Sequence, residues 1–165
     1  MPRHLYFVCP TDGIEPTING AFGSCNYFYT SLGNSVVFDK DTMGHIKGLL
    51  LKHDIQEIFF VLSDANPIIK DAMGNRHFSQ IRGLGNFYAE ISRQKQHSEV
   101  LCSEYNRQSI VLSYYLNKKI KELMSELNCL NVGKINIEGK IYNKQKNIFN
   151  KIYSDLVCTE YFSRN

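Results

Sequence analysis

The apolar positions change their period along the chain, and each change marks an element. Ile58, Phe59, Phe60, Val61 and Leu62 are consecutive, and an unbroken β-branched and aromatic run without polar alternation predicts a strand buried on both faces, as in a parallel sheet. It ends abruptly at Ser63, Asp64, Asn66 and Pro67, so the strand delivers a polar loop. Residues 5–9, LYFVC, form a second compact run closed by Pro10, Asp12 and Gly13 and predict a first strand. Residues 10–25 hold two prolines and three glycines, which predicts a long loop with no regular element and room for function. Residues 26–30, NYFYT, predict a short strand, and residues 31–35 a turn in which Gly33 and Asn34 permit positive φ. Asp39 or Asp41 then offers an N-cap to a helix carrying Met43, Ile46, Leu49 and Leu50 and ending near His53. Strand, loop, helix and strand in that order predict a right-handed crossover.

Beyond Pro67, Ile68, Ile69, Ala72 and Met73 predict a short helix. Residues 74–98 are polar and interrupted by Gly74, Gly83 and Gly85, and their pattern assigns no order. Leu112, Leu116, Ile120, Leu123 and Leu127 recur at spacings of three and four, predicting one long amphipathic helix over 104–127. Residues 134–142, KINIEGKIY, alternate as a half-exposed strand with a kink at Gly139; 143–147 form a turn, and 148–157 return as a hairpin partner at the sheet edge. The elements together predict a single α/β domain over 1–165, with a mainly parallel β-sheet flanked by helices and a C-terminal edge hairpin. Ligands bind at the carboxyl ends of strands in such sheets. The candidate pocket is therefore Thr11 and Asp12 from the first loop with Ser63, Asp64 and Asn66 from the loop after the central strand.

Composition narrows the classes. With 43% hydrophobic and 21% charged residues the chain reads as globular, and no window approaches the roughly 20 apolar residues that span a bilayer. The N-terminus, MPRHLYFVCP, lacks the apolar core of a secretory signal, so a cytoplasmic location is expected. Five cysteines without a CxxC pair suggest neither a disulfide framework nor a zinc ribbon, and read as small buried hydrophobes. Net charge is +3, with nine Lys or Arg against five Asp or Glu from Asn117 onward. Lys118, Lys119, Lys121, Lys140, Lys144, Lys146 and Lys151 stand at the intervals of solvated faces, so nucleic-acid binding is not expected. No phosphate-loop lysine and no nucleophile elbow is present. Asp12, Glu15 and Asp64 could form a carboxylate cluster where two loops meet.

The order of these landmarks resembles the β-class carbonic anhydrases over residues 4–157. A strand ends in Cys9; NYFYTSLGN is similar to a family strand closing in R-N-A-G-N; FFVLSDANP stands where the family has V-L-G-H-x-x-C; and VGKINIEGKIYNKQKNIF is similar to its closing G-x-x-x-x-G-x-x-Y-D strand pair. Gly33, Asn34, Gly133, Gly139 and Tyr142 carry the match. The resemblance implies zinc held by the Cys of C-x-D-x-R and by the His and Cys of H-x-x-C, with the Asp and Arg as a dyad controlling the fourth position. Here Cys9 is retained, but Thr11 stands for the aspartate, Gly13 for the arginine, Asp64 for the histidine and Pro67 for the second cysteine.

Catalytic zinc takes three protein ligands and an activated water. Cys9 and Asp64 alone are too few, so the expectation is a β-carbonic-anhydrase-like protein without zinc or carbon dioxide hydration, a pseudoenzyme. It would keep a pocket for a small anion or metabolite, or a protein partner. The enzyme alternative is a divergent zinc-dependent lyase or hydrolase using Cys9, Asp64 and a substitute such as Asp12, Cys25, His4 or His45. For His45 a helix face, for His4 a place before a strand and for Cys25 core packing are the plainer readings. A third reading is an interaction protein using the basic C-terminal third. The resemblance also implies a homodimer.

Overall fold

The computed structural model of the chain describes residues 3–101 and 107–153, the side chains of 99–101 excepted. Its elements run β1 (His4–Val8), α1 (Glu15–Phe22), β2 (Tyr27–Thr30), α2 (Lys40–His53), β3 (Glu57–Ser63), α3 (Pro67–Met73), α4 (Gly85–Leu101), α5 (Arg107–Cys129), β4 (Asn136–Asn143) and β5 (Ile148–Lys151). The five strands form one sheet in the order β2-β1-β3-β4-β5. β1 pairs in parallel with β2 and β3, β3 in parallel with β4, and β5 closes the edge antiparallel to β4. This is the mainly parallel sheet with an edge hairpin that the hydrophobic runs predict.

The core explains why the strand sequences are apolar throughout. Successive side chains point to opposite faces, and both faces of β1 and β3 are covered. Leu5, Phe7, Ile58, Phe60 and Leu62 lie under α2 to α5, with the Phe7 and Phe60 rings stacked at 4.5 Å. Tyr6, Val8, Phe59 and Val61 face the other way, beneath Ile14 and the α1 residue Ile18, with Tyr6 and Phe59 stacked at 5.1 Å. The chain moves outward from β1 to β2, then crosses back over β1 to β3, and its helices change face accordingly, as right-handed crossovers require. The strand order therefore reverses between β1 and β3. Their carboxyl ends flank the crevice where such sheets bind ligands.

Helix starts follow local chemistry. Asp39 caps α2 by accepting from the Thr42 N–H at 2.8 Å, and the helix buries Met43, Ile46 and Leu50. α5 buries the predicted stripe from Leu112 to Leu127 and continues to Cys129; its expected start, 104–106, lies outside the described residues.

Several expectations need correction. Residues 10–25 are not a plain loop, because α1 occupies 15–22. Pro16 sits in its first turn, where a proline lacks no needed N–H, Gly20 is exposed, and Ile18 anchors the helix. Residues 74–98 contain most of α4, whose buried positions are Phe87, Tyr88, Ile91, Gln94 and Ser98. β4 runs unbroken through Gly139, which pairs with Phe60. A Cβ there would run into Ile152 and stand 3.3 Å from Ile120 Cδ1, so close packing rather than a kink explains the glycine. β5 ends at Lys151, and 154–157 lie outside the described residues. Cys9 is buried as expected, but Cys25 and Cys129 are exposed, since the first follows α1 in an open turn and the second closes α5 on its solvent side. Cys102 and Cys158 lie outside the described residues.

Candidate functional site

Three short segments converge at the reversal of strand order: the end of β1 (Cys9 to Asp12), the tight turn after β2 (Ser31 to Asn34) and the end of β3 (Ser63 to Asn66). The turn is locked onto the sheet. Ser31 N–H donates to Val8 C=O at 3.1 Å, and the Asn34 side-chain amide donates both to Phe7 C=O at 3.2 Å and to Val61 C=O at 3.0 Å, joining the two strands beyond their ladder. Gly33 takes φ +59, where glycine is favoured, and a Cβ on it would stand 2.8 Å from the Phe87 ring of α4. Its N–H donates to the Cys9 sulfur at 3.1 Å. The Tyr115 hydroxyl of α5 donates to Asn34 C=O at 2.8 Å.

Cys9 is completely buried. Besides the Gly33 N–H, its sulfur meets the Thr11 hydroxyl at 3.0 Å. Asp12 does not turn toward the sulfur. Its carboxylate accepts from Ser63 N–H at 2.9 Å and from the Asn66 side-chain amide at 2.8 Å, clasping the loop after β1 to the loop after β3. Burial pushes its pKa above the ordinary carboxylate value, with the nearby Glu15 charge adding to the rise; the bonds from Ser63 and Asn66 and the Lys144 charge oppose it. Asn66 extends the clasp, since its side-chain oxygen accepts from Ile69 N–H at 2.9 Å and caps α3, with Pro67 at the first helical position. Ser63 Oγ accepts from Ala65 N–H at 3.1 Å. Asp64 faces the hairpin: its carboxylate accepts from Lys144 N–H at 3.3 Å, its own N–H donates to Tyr142 C=O, and its carbonyl accepts from the Gln108 side chain of α5.

The candidate pocket residues are thus neighbours, but their polar atoms are engaged with one another and with backbone. Asp12, Ser63 and Asn66 form one hydrogen-bonded unit, Thr11 joins Cys9, and Asp64 belongs to the β4–β5 turn. The remaining substitutes are elsewhere: His45 is exposed on α2, His4 pairs with Glu57 at 2.8 Å within the sheet, and Cys25 is exposed. Among the described residues, no three His, Cys, Asp or Glu side chains are grouped to hold a metal ion. A zinc centre of the family's kind needs three protein donors around one open position. The set around Cys9 does not fit it: one sulfur, a hydroxyl and an amide hydrogen, with helix-start chemistry at Asn66 and Pro67 where the third ligand would stand. Gly33, Asn34 and Tyr115 are structural members of the site that pattern alone did not place against Cys9.

Of the basic residues, Lys118 pairs with Glu90 and Lys119 with Glu122, while Lys140 lies over the Phe22 and Phe59 rings. No helix among the described residues is long and apolar enough to cross a membrane.

Strand order, the strand-end cysteine and the antiparallel edge strand define a β-carbonic-anhydrase-like fold. Solved structures agree. The β-carbonic anhydrase CafD of Aspergillus fumigatus superposes with a TM-score of 0.73 at 16% identity, over 93% of this chain and 90% of that one. A tetrameric β-carbonic anhydrase of Sordaria macrospora gives 0.70 at 15% over 92% and 80%, and the Coccomyxa β-carbonic anhydrase in complex with acetazolamide gives 0.70 at 11% over 98% and 83%. No protein-family model and no curated protein matches the sequence.

Proposed function

We propose that this chain is a non-catalytic member of the β-carbonic anhydrase fold: it neither holds zinc nor hydrates carbon dioxide, and it works by binding a small anion or polar metabolite. The observation that supports the reading is the closure around Cys9. Its sulfur accepts from the Gly33 N–H and shares a hydrogen bond with the Thr11 hydroxyl, and the loop carboxylates Asp12 and Asp64 accept from Ser63 and Lys144 N–H groups. Hydration at neutral pH requires a bound water whose pKa a metal has lowered, and among the described residues no donor set that could hold such a metal surrounds the sulfur. Stopped-flow carbon dioxide hydration on untagged protein with added zinc tests the reading. The expected rate is the buffer rate; a protein-dependent rate that disappears on Cys9→Ser overturns it.

Self-association belongs to the same proposal. β2 lies at the open edge of the sheet with Tyr27, Phe28 and Tyr29 only half-buried, an arrangement that favours pairing with another chain. Light scattering on the purified protein is expected to give a mass at or above a dimer, and a monomer mass at all concentrations contradicts this part.

A further inference from the structure

We propose that a groove between α4 and α5 binds a small organic carboxylate, with its anionic end between Arg93 and Lys118 and its apolar body on Phe38. This deepens the binding role given above and rests on that reading for its purpose, but not on the absence of zinc.

The groove encloses about 810 Å³ between the start of α4, the middle of α5 and the segment Ser35 to Phe38, within the range of small-molecule sites. Its floor is aromatic. Phe87 and Tyr115 are almost fully buried, and their rings meet edge to face at 5.2 Å; Phe38 forms a wall with the Lys119 ammonium 5.7 Å from its ring centre. Aromatic walls with a few fixed charges are the common composition of a ligand site.

The charges are arranged unevenly. Glu90, its side chain 11% exposed, accepts from Lys118 at 2.7 Å, from one terminal nitrogen of Arg93 at 2.9 and 3.0 Å, and from Gln94 at 2.8 Å. Two cations therefore share one carboxylate, leaving one positive charge in surplus. Arg93 applies a single nitrogen to Glu90 and its side chain is 58% exposed, so further guanidinium donors remain accessible, and Lys118 retains further donor hydrogens. Lys119 is balanced separately by Glu122 at 2.8 Å. Glu126 lines the far end of the groove, two turns beyond Lys118 along α5, about 12 Å away at helical rise, too distant to cancel the surplus.

A planar carboxylate fits this geometry better than a phosphate. One surplus charge balances a monoanion, while a dianion would be opposed by Glu90 beside it. A guanidinium edge with a neighbouring ammonium gives the paired donors that two carboxylate oxygens accept. The site also adjoins the strand-end turn, because Phe87 packs on Gly33 and Tyr115 bonds Asn34 C=O.

The test is a nuclear magnetic resonance titration of the full chain with benzoate, with inorganic phosphate as comparison. Benzoate is expected to give saturable shifts at residues 86–93 and 115–119 in the millimolar range. Arg93→Gln, at a 58% exposed side chain that leaves Lys118 on Glu90, and Lys118→Gln are each expected to weaken binding about tenfold, the scale of one lost charge-assisted bond. Absence of saturable shifts, binding indifferent to both substitutions, or phosphate binding as tightly as benzoate overturns the proposal. Zinc content and hydration rate leave these outcomes unchanged, so this inference and the non-catalytic reading fail separately.

Discussion

Replacing Asp12 by alanine should release the clasp that holds the β1 and β3 loops together. The carboxylate accepts two hydrogen bonds, from Ser63 N–H at 2.9 Å and Asn66 Nδ2 at 2.8 Å, and both donor residues are buried. A buried donor left without an acceptor costs about 1–3 kcal/mol, which sets the gross loss for the two at about 2–6 kcal/mol. Relief of the buried charge offsets part of this, because burial has already raised the pKa of Asp12. The net expectation is about 2–3 kcal/mol, or roughly 4–12 °C in Tm for a chain of this length. Urea denaturation followed by far-UV circular dichroism should show a lower midpoint at unchanged slope. Asp64→Ala, which removes one 3.3 Å bond from Lys144 N–H, should cost under about 1 kcal/mol. The sign of the pH dependence is also fixed. A folded-state value raised above the ordinary 3.8 means that the folded protein holds its proton more tightly. This contribution is fully present below 3.8 and is lost as pH rises through the folded value; it should vanish in Asp12→Ala. A loss below about 0.5 kcal/mol, the range of ordinary surface changes, would refute the clasp.

Two further perturbations probe other parts of the structure. Gly139→Ala places a methyl group against Ile152 and 3.3 Å from Ile120 Cδ1 and should cost about 1–3 kcal/mol by overpacking; Ile152→Ala in the same chain should return part of it, and additive losses would show that the contact is not the cause. For Glu90, burial opposes ionisation, but bonds from Lys118, Gln94 and Arg93 outweigh it and bring the value down from 4.5 to about 2. Its stabilising contribution is therefore complete above 4.5 and lost as pH falls toward about 2. Glu90→Gln should flatten that part of the acid-denaturation curve, and an unchanged curve would contradict the assignment.

What the sequence made legible follows from the range of the forces involved. β1 and β3 were readable because burial on both faces leaves an unbroken apolar run, and α5 because its stripe is wholly aliphatic. α1 was hidden: Pro16 and Gly20 count as breakers in a window, although one sits in the first turn and the other on an exposed surface. α4 carries its helical period through Phe87, Ile91, Gln94 and Ser98, so polar residues at buried positions masked the stripe. The site was legible as a place, from two strand ends and their polar loops. Its wiring was not, because Asp12 finds its partners 51 and 54 positions away, and Cys9 meets the Gly33 N–H across 24. Only the folded sheet brings these together.

Zinc stoichiometry tests the central claim most directly. Untagged protein incubated with excess zinc, dialysed and analysed by inductively coupled plasma mass spectrometry should retain far less than one zinc per chain, since a structural or catalytic centre needs three or four protein ligands. Retention of about one zinc per chain, abolished by Cys9→Ser, would contradict the account.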